Sequence, residues 1–264
     1  MATQYPITAV APTVASALGL RPPRAAAEPP IPEIVADLAG LERVAVLAVD
    51  AMGLSVWQHW RAQMPYLTSL HEAHHTVLRS VSPPITPVNF AALVTGAPLE
   101  VHKIGDRFAP LACESLFDVV REAGGFSLGA GQPTYTGGEF LARYSDLPGR
   151  VPRPGDAAVE ELLMETVPAR LPRYLIVQFG DTDTCFHQVG PTSPEAEAVV
   201  READARVQRV ATMLLGHDYG VIVLADHGQH DVPLPGAKDR VHGGHDGSGG
   251  EQDFLVACTW ARPA

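Results

Sequence analysis

Carboxylates and imidazoles collect in four short stretches of this chain. In VDAMG, Asp50 closes an apolar run and Gly53 permits a tight exit. In FGDTDTCFHQVGP, Asp183 and His187 are four positions apart, so one helical turn sets them on a common face. A loop would converge them equally well, and Asp181 is a rival for the carboxylate role. In ADHGQHD, Asp226 and His227 are neighbours; adjacent side chains on a strand face opposite ways, so a turn at Gly228 is needed to aim both at one point. RVHGGHDGSGG adds His242 and His245 in a glycine-rich loop. Taken singly, each stretch is equally well a polar surface loop. Together they form a mixed carboxylate and imidazole set that suits zinc, manganese or iron better than calcium. Two such ions about 4 Å apart would stabilise attacking and leaving oxygens on opposite sides of a phosphorus centre. The residues alone therefore point to a metal hydrolase.

A fifth stretch, ITPVNFAALVTG at 85–96, has two readings. Thr86 before Pro87 is a good amino-terminal signal for a buried helix. The same place in a helix also directs free N–H groups toward a phosphate, and so could present the Thr86 hydroxyl to phosphorus.

The elements that must position these residues are legible. RVAVLAVD, YLIVQFGD and GVIVLADHG are nearly continuous apolar runs that open directly into Asp or His. Runs without alternation suit the centre of a sheet covered on both faces, the habit of parallel α/β folds. Further strands are expected at HTVLRSV, GFSLGA and DFLVACTW, and helices at PEIVADLAG and over 113–124, 156–167 and 193–216. Ligands of open α/β sheets bind beyond the strand carboxyl ends, where these acidic residues fall. The Pro-rich stretch 21–32 reads as a linker or surface excursion, and 130–156 as a flexible covering loop.

The 264 residues suit one domain, and 46% hydrophobic content suits a globular one. With 30 Asp plus Glu against 19 Lys plus Arg, the net charge is -11, which argues against a nucleic-acid polymer or an acidic membrane as partner. Three scattered cysteines suggest buried thiols rather than a disulfide framework. Pro6 and Pro12 interrupt the apolar amino end and no basic residue comes before it, so the expectation is a soluble cytoplasmic protein.

The ordered series VDAMG, TPVNFAALVTG, DTDTCFHQVGP, ADHG and HGG resembles the alkaline phosphatase superfamily, particularly its nucleotide pyrophosphatase/phosphodiesterase and phosphonoacetate hydrolase branches. The likeness runs from about 44 to 258 and is most specific in the spacing of Thr86, Asn89, Thr95 and Gly96, and of Asp183, His187, Gly190 and Pro191. It implies a three-layer α/β sandwich with a mostly parallel central sheet flanked by helices, as a single catalytic domain over 1–264 with a small loop or cap region near 97–156. It makes Thr86 the nucleophile of a phosphodiesterase that works through a phosphothreonine intermediate. Asp50, Thr86, Asp226 and His227 would surround one divalent ion, and Asp183, His187 and His242 the other, with zinc the first choice and manganese or iron alternatives. Asn89 would hold a nonbridging oxygen. His242 is preferred to His245 because HGG matches the closing motif.

There are departures. Val88 stands where proline is usual, His102-Lys103 replaces His-Gly, and DHGQ replaces the commoner DHGM. Lys103 is a candidate substrate contact or a solvated surface lysine. ITAVAPTVASALGLRPP at 7–23 resembles a stretch usually found near the end of family members, so the order of elements is rearranged or the likeness is coincidental. Tyr135, Phe140 and Tyr144 are candidates to line the pocket, with packing the better expectation. The substrate expected is a small phosphate-containing molecule. A phosphonate hydrolase, a small phosphomonoesterase, a phosphoryl transferase or mutase, and an inactive metal-binding protein are the rival readings.

Overall fold

The computed structural model describes residues 4–236 and 240–264. Its strands are β1 (Gln4–Pro6), β2 (Arg43–Val49), β3 (His75–Arg79), β4 (Ser127–Ala130), β5 (Tyr174–Phe179), β6 (Tyr219–Leu224), β7 (His230–Pro233), β8 (Val241–Gly244) and β9 (Leu255–Ala261). Seven of them form one sheet in the order β1-β3-β9-β6-β2-β5-β4, while β7 and β8 make a separate antiparallel ribbon. Within the large sheet β9 alone runs against its neighbours β3 and β6; the other pairings are parallel. The fold is the expected α/β sandwich, a mostly parallel sheet flanked by helices.

The three continuous apolar runs lie side by side at its centre. Every residue of β5 and β6 is buried, and all of β2 except Arg43. The register pairs Val49 with Phe179 and Ala48 with Leu224, so the three strands end together and their next residues emerge at the same edge. Leu47, Ile176 and Ile222 are fully inaccessible to solvent within this layer. Removing apolar side chains from water is what makes this alignment favourable, and it fixes the strand ends that carry Asp50 and Asp226.

Several helix amino termini are capped by carboxylates from other elements. Asp156 opens the helix Asp156–Arg170 and accepts from the backbone N–H of Gly180 (2.8 Å) and Asp181 (3.0 Å). Asp181 opens the helix Asp181–Val189 and returns the bond, accepting from Asp156 N–H at 3.1 Å. Each acid thus satisfies the free donors of the other's helix. Asp204, in the helix Glu197–Leu215, similarly accepts from Leu67 (2.8 Å) and Tyr66 (3.1 Å) at the start of the helix Pro65–Ala73.

Residues 130–156 are packed more tightly than a covering loop needs to be. A Cβ on Gly149 would lie 1.8 Å from the Gly129 carbonyl oxygen, and one on Gly131 would lie 2.5 Å from Gly137 Cα, so backbone rests directly on backbone there. At the amino end β1 adds a strand to the sheet beside β3, and the helix Val10–Ala17 is almost wholly buried. The following stretch is tied down by Arg21 and Arg24, both paired with Glu114.

Asp204→Ala should leave the Pro65–Ala73 terminus without its acceptors and cost about 1–2 kcal/mol in chemical denaturation. A change below about 0.3 kcal/mol would show that solvent replaces the cap without loss.

Candidate active site

The end of β2 turns at once. Ala51 takes a left-handed conformation, φ 61°, and Gly53 does not, at φ -60°. The glycine is required for a different reason from the tight exit expected of it. A Cβ on Gly53 would stand 2.5 Å from Gly228 Cα, and one on Gly228 would stand 2.0 Å from the Gln252 carbonyl oxygen. The turns after β2 and β6 therefore lie backbone against backbone, which brings Asp50 next to Asp226 and His227.

All three of these residues are fully buried. Asp50 Oδ1 and Asp226 Oδ2 have no hydrogen-bond donor, yet they stand 3.5 and 3.4 Å from His227 Nε2. The other Asp50 oxygen accepts from the Gln178 amide, whose own oxygen accepts from Gly137 N–H. Thr86 is the first residue of the helix Thr86–Thr95 and makes no capping bond; its hydroxyl lies 3.1 Å from His227 Nε2. Of its two readings the geometry favours the exposed hydroxyl, with the helix start serving to aim it.

A second group adjoins the first. Asp183 and His187 share a face of the helix Asp181–Val189, with His187 Nε2 3.3 Å from Asp183 Oδ1. The imidazole that joins them is His245, not His242. His245 Nε2 is 3.1 Å from His187 Nε2 and 4.0 Å from Asp183 Oδ1, and its ring stacks on His227 at 4.2 Å. His242 is held in the β7–β8 ladder opposite Val232 and its Nδ1 pairs only with the next carbonyl, that of Gly243. His245 lies beyond the strand end, where its ring is free to turn inward.

Asp50, Asp226 and His227, and likewise Asp183, His227 and His245, offer ligand atoms within 4.8 Å of one another. These are two groups consistent with divalent-metal sites, and their chemistry fits such ions. His187, His227 and His245 each pair Nδ1 with a backbone carbonyl, those of Gly243, Gly228 and Pro84. That fixes the tautomer leaving the Nε2 lone pairs directed inward, the usual outer-sphere arrangement of a metal ligand. Two lone pairs 3.1 Å apart need a cation or a proton between them. A third group, His230, Asp246 and Asp253, is accounted for without an ion, because Asp253 accepts from His230 and from the Gly247 and Gly249 N–H groups.

Charge at the first group is costly. Burial, then the charges of Asp226 and Asp183, push Asp50 well above the usual carboxylate range. Burial works in the same direction on Asp183, but in the metal-free site a proton on His187 Nε2, hydrogen-bonded to Asp183, and the charge of the surrounding imidazoles outweigh it and hold Asp183 below its ordinary value. His187 rises in return through that hydrogen bond, while burial lowers His245.

Other expected residues fall elsewhere. Asn89 is fully buried and turned away from the groups; its oxygen accepts from Val81 N–H at 2.8 Å and its amide reaches the Ile85 carbonyl at 3.2 Å. It fastens the loop that leads into Thr86. Asp181 is committed to helix capping, and its second oxygen accepts from Gln132. Lys103 is exposed in a left-handed turn. Phe140 packs in the core, and the Tyr144 hydroxyl accepts from Leu111 N–H. Tyr135 does line the cavity.

That cavity, about 320 Å³, is walled by Asp50, Thr86, Arg107, Tyr135, Gln178 and Asp183 among others. Arg107 and Gln178 are not among the residues expected from sequence. A glutamine inside the apolar run YLIVQF was the available signal for one; nothing in KIGDRFAP distinguished the other. Gln229, the departure in DHGQ, donates to Asp183 Oδ1 at 2.6 Å.

Residues 132–245 match the model of the type I phosphodiesterase / nucleotide pyrophosphatase family. Solved structures with the same fold include phosphonoacetate hydrolase from Sinorhizobium meliloti 1021 (17% identity, TM-score 0.57) and the ectonucleotide pyrophosphatase / phosphodiesterase 5 of mouse (19%, 0.57) and of man (17%, 0.58). The family match is confined to 132–245, and what the chain shares with these solved structures is the fold. Each alignment covers 73% of this chain and 58% of the other, so the chain spans less than two thirds of the length of these structures. No match is found among curated proteins. Among the described residues no helix is long and apolar enough to cross a membrane.

The raised Asp50 pKa contributes stability to the metal-free protein below the ordinary carboxylate range, and that contribution is lost as pH rises through the folded value. Asp50→Asn should therefore raise the Tm of chelator-treated protein above neutrality while weakening metal uptake, and uptake by the wild type should tighten with pH as protons are released. An unchanged or lower Tm for Asp50→Asn in chelator would contradict the buried-charge account.

Proposed function

We propose that the protein is a metal-dependent hydrolase of small phosphate-containing substrates, with Thr86 as its nucleophile. The observation that carries this reading is the Thr86 hydroxyl at the start of a buried helix, 3.1 Å from His227 Nε2 and on the wall of the cavity shared with Asp50 and Asp183. Asp50, Asp226, His227 and Thr86 would hold one divalent ion and Asp183, His187 and His245 the other; zinc suits the nitrogen and oxygen donors, as do manganese and iron. When bound, such ions lower the pKa of a hydroxyl and neutralise phosphoryl oxygens.

The chain's own residues do the rest. The Thr86 helix aims the hydroxyl at phosphorus for in-line attack: its proton passes to solvent, the threonine oxygen–phosphorus bond forms, and the leaving group departs with the bonding electrons and takes up a proton. Water then takes the phosphoryl group and restores Thr86. Asn89 acts at one remove, by holding the loop 81–85 so that Thr86 keeps its place. A phosphodiester substrate is supported by the match to the type I phosphodiesterase model. A phosphonate is favoured by the likeness to a phosphonoacetate hydrolase solved with phosphonoacetate.

Metal-loaded protein should hydrolyse at least one of p-nitrophenyl phosphate, bis-p-nitrophenyl phosphate, a thymidine phosphodiester and phosphonoacetate. Thr86→Ala should lower that rate at least about 1000-fold even when assayed in excess divalent metal. Equal rates for the two proteins on every active substrate would remove Thr86 from the chemistry.

A further inference from the structure

We infer that Ser248, His230 and Asp253 form a second nucleophilic site, at which Ser248 takes an acyl group from activated donors, namely aryl esters and thioesters. The inference is independent of the Thr86 reading, because none of the three residues lines the cavity of Asp50, Thr86 and Asp183.

The three side chains stand in series. Ser248 Oγ is 3.3 Å from His230 Nε2, and His230 Nδ1 is 2.7 Å from Asp253 Oδ1. Asp253 is fully buried, His230 is partly buried and Ser248 is exposed. The carboxylate holds the imidazole with its proton on Nδ1, so the Nε2 lone pair faces the Ser248 hydroxyl. The other Asp253 oxygen accepts from the N–H groups of Gly247 (2.9 Å) and Gly249 (3.1 Å), on either side of the serine. One carboxylate thus positions both the base and the loop that carries the nucleophile. The fit is close: a Cβ on Gly249 would lie 2.4 Å from His230 Nδ1 and 2.7 Å from Asp253 Oδ1. A loop clamp needs only the carboxylate and the two N–H groups. A hydroxyl placed against the free imidazole nitrogen is what nucleophilic catalysis needs.

Attack of Ser248 Oγ on an acyl carbon passes the hydroxyl proton to His230 Nε2, and Asp253 balances the imidazolium. The bond from that carbon to the leaving oxygen or sulfur breaks with its electron pair, and the departing group takes the proton from His230. Water then gives a proton to the same imidazole and attacks the acyl carbon; a carboxylic acid is released and Ser248 recovers its proton. The backbone N–H groups of Ser248, Gly249 and Gly250 are spent on Asp246, Asp253 and the Gly247 carbonyl, so they supply no oxyanion donors. That restricts the donor to one whose leaving group departs readily, an aryl ester or thioester and not an amide.

The test uses full-length, metal-loaded protein and p-nitrophenyl acetate, with acetylated residues located by peptide mass mapping at short times. Ser248 should be acetylated at least about 100-fold faster than the exposed Ser69, whose hydroxyl donates to the Tyr66 carbonyl and faces no imidazole base. His230→Gln should remove that advantage with Tm and metal content unchanged, and Ser248→Ala should abolish the burst of p-nitrophenolate. Thr86→Ala should be acetylated at Ser248 at the wild-type rate, which keeps this site separate from the phosphoryl chemistry. The proposal is overturned if Ser248 reacts no faster than Ser69, or if His230→Gln is acetylated at Ser248 as fast as wild type. The comparison with Ser69 is made within the wild type, so it decides the matter even where a variant fails to fold.

Discussion

Three carboxylates, Asp50, Asp183 and Asp226, are held close together, two of them fully buried and the third at the cavity wall, and the surrounding structure is arranged around that repulsion. Asp50 and Asp226 are fully buried, each with one oxygen that meets no donor. Uncompensated charge in such a place is expensive, so the arrangement is stable only with cations bound or protons retained. The imidazoles respond to the same need. His187, His227 and His245 turn Nε2 inward because backbone carbonyls hold their other nitrogens. The field that makes the metal-free site unfavourable is the field that would bind divalent ions.

The scaffold keeps the charges in place by close approach rather than by many polar bonds. β2 and β6 are paired in register, and their exits at Gly53 and Gly228 touch through backbone alone. Behind Asp50, Gln178 links the carboxylate to Gly137 and so ties the segment packed on β4 to the site. Gln229 steadies Asp183 in the same way. Gln178 also lines the cavity and leaves Asp50 Oδ1 without a donor, while Gln229 donates to the Asp183 oxygen that faces His187.

The sheet was legible in the chain because its strands are buried on both faces and read as unbroken apolar runs. The three that matter most were placed within a residue or two of where they lie, and the acids at their ends followed. The placement of Thr86 at a helix start and of Asp183 and His187 on one helical face was legible from local spacing, since one helix start and one helical turn position them. What spacing does not encode is the path of a loop in space. His242 matches a motif, yet the β7–β8 ladder holds it aside while His245, three residues on, reaches the cluster. Asn89 has the right separation from Thr86, but its amide is satisfied by Val81 and Ile85 before it can meet a substrate.

The central claim is that two metal sites form and that His245 completes the second. Metal content per chain after dialysis, measured by elemental analysis, tests it most directly. The account predicts about two divalent ions for the wild type and for His242→Ala, and about one for His245→Ala, given the loss expected on removing one of few ligands. Two ions retained by His245→Ala, with one lost from His242→Ala, would contradict it.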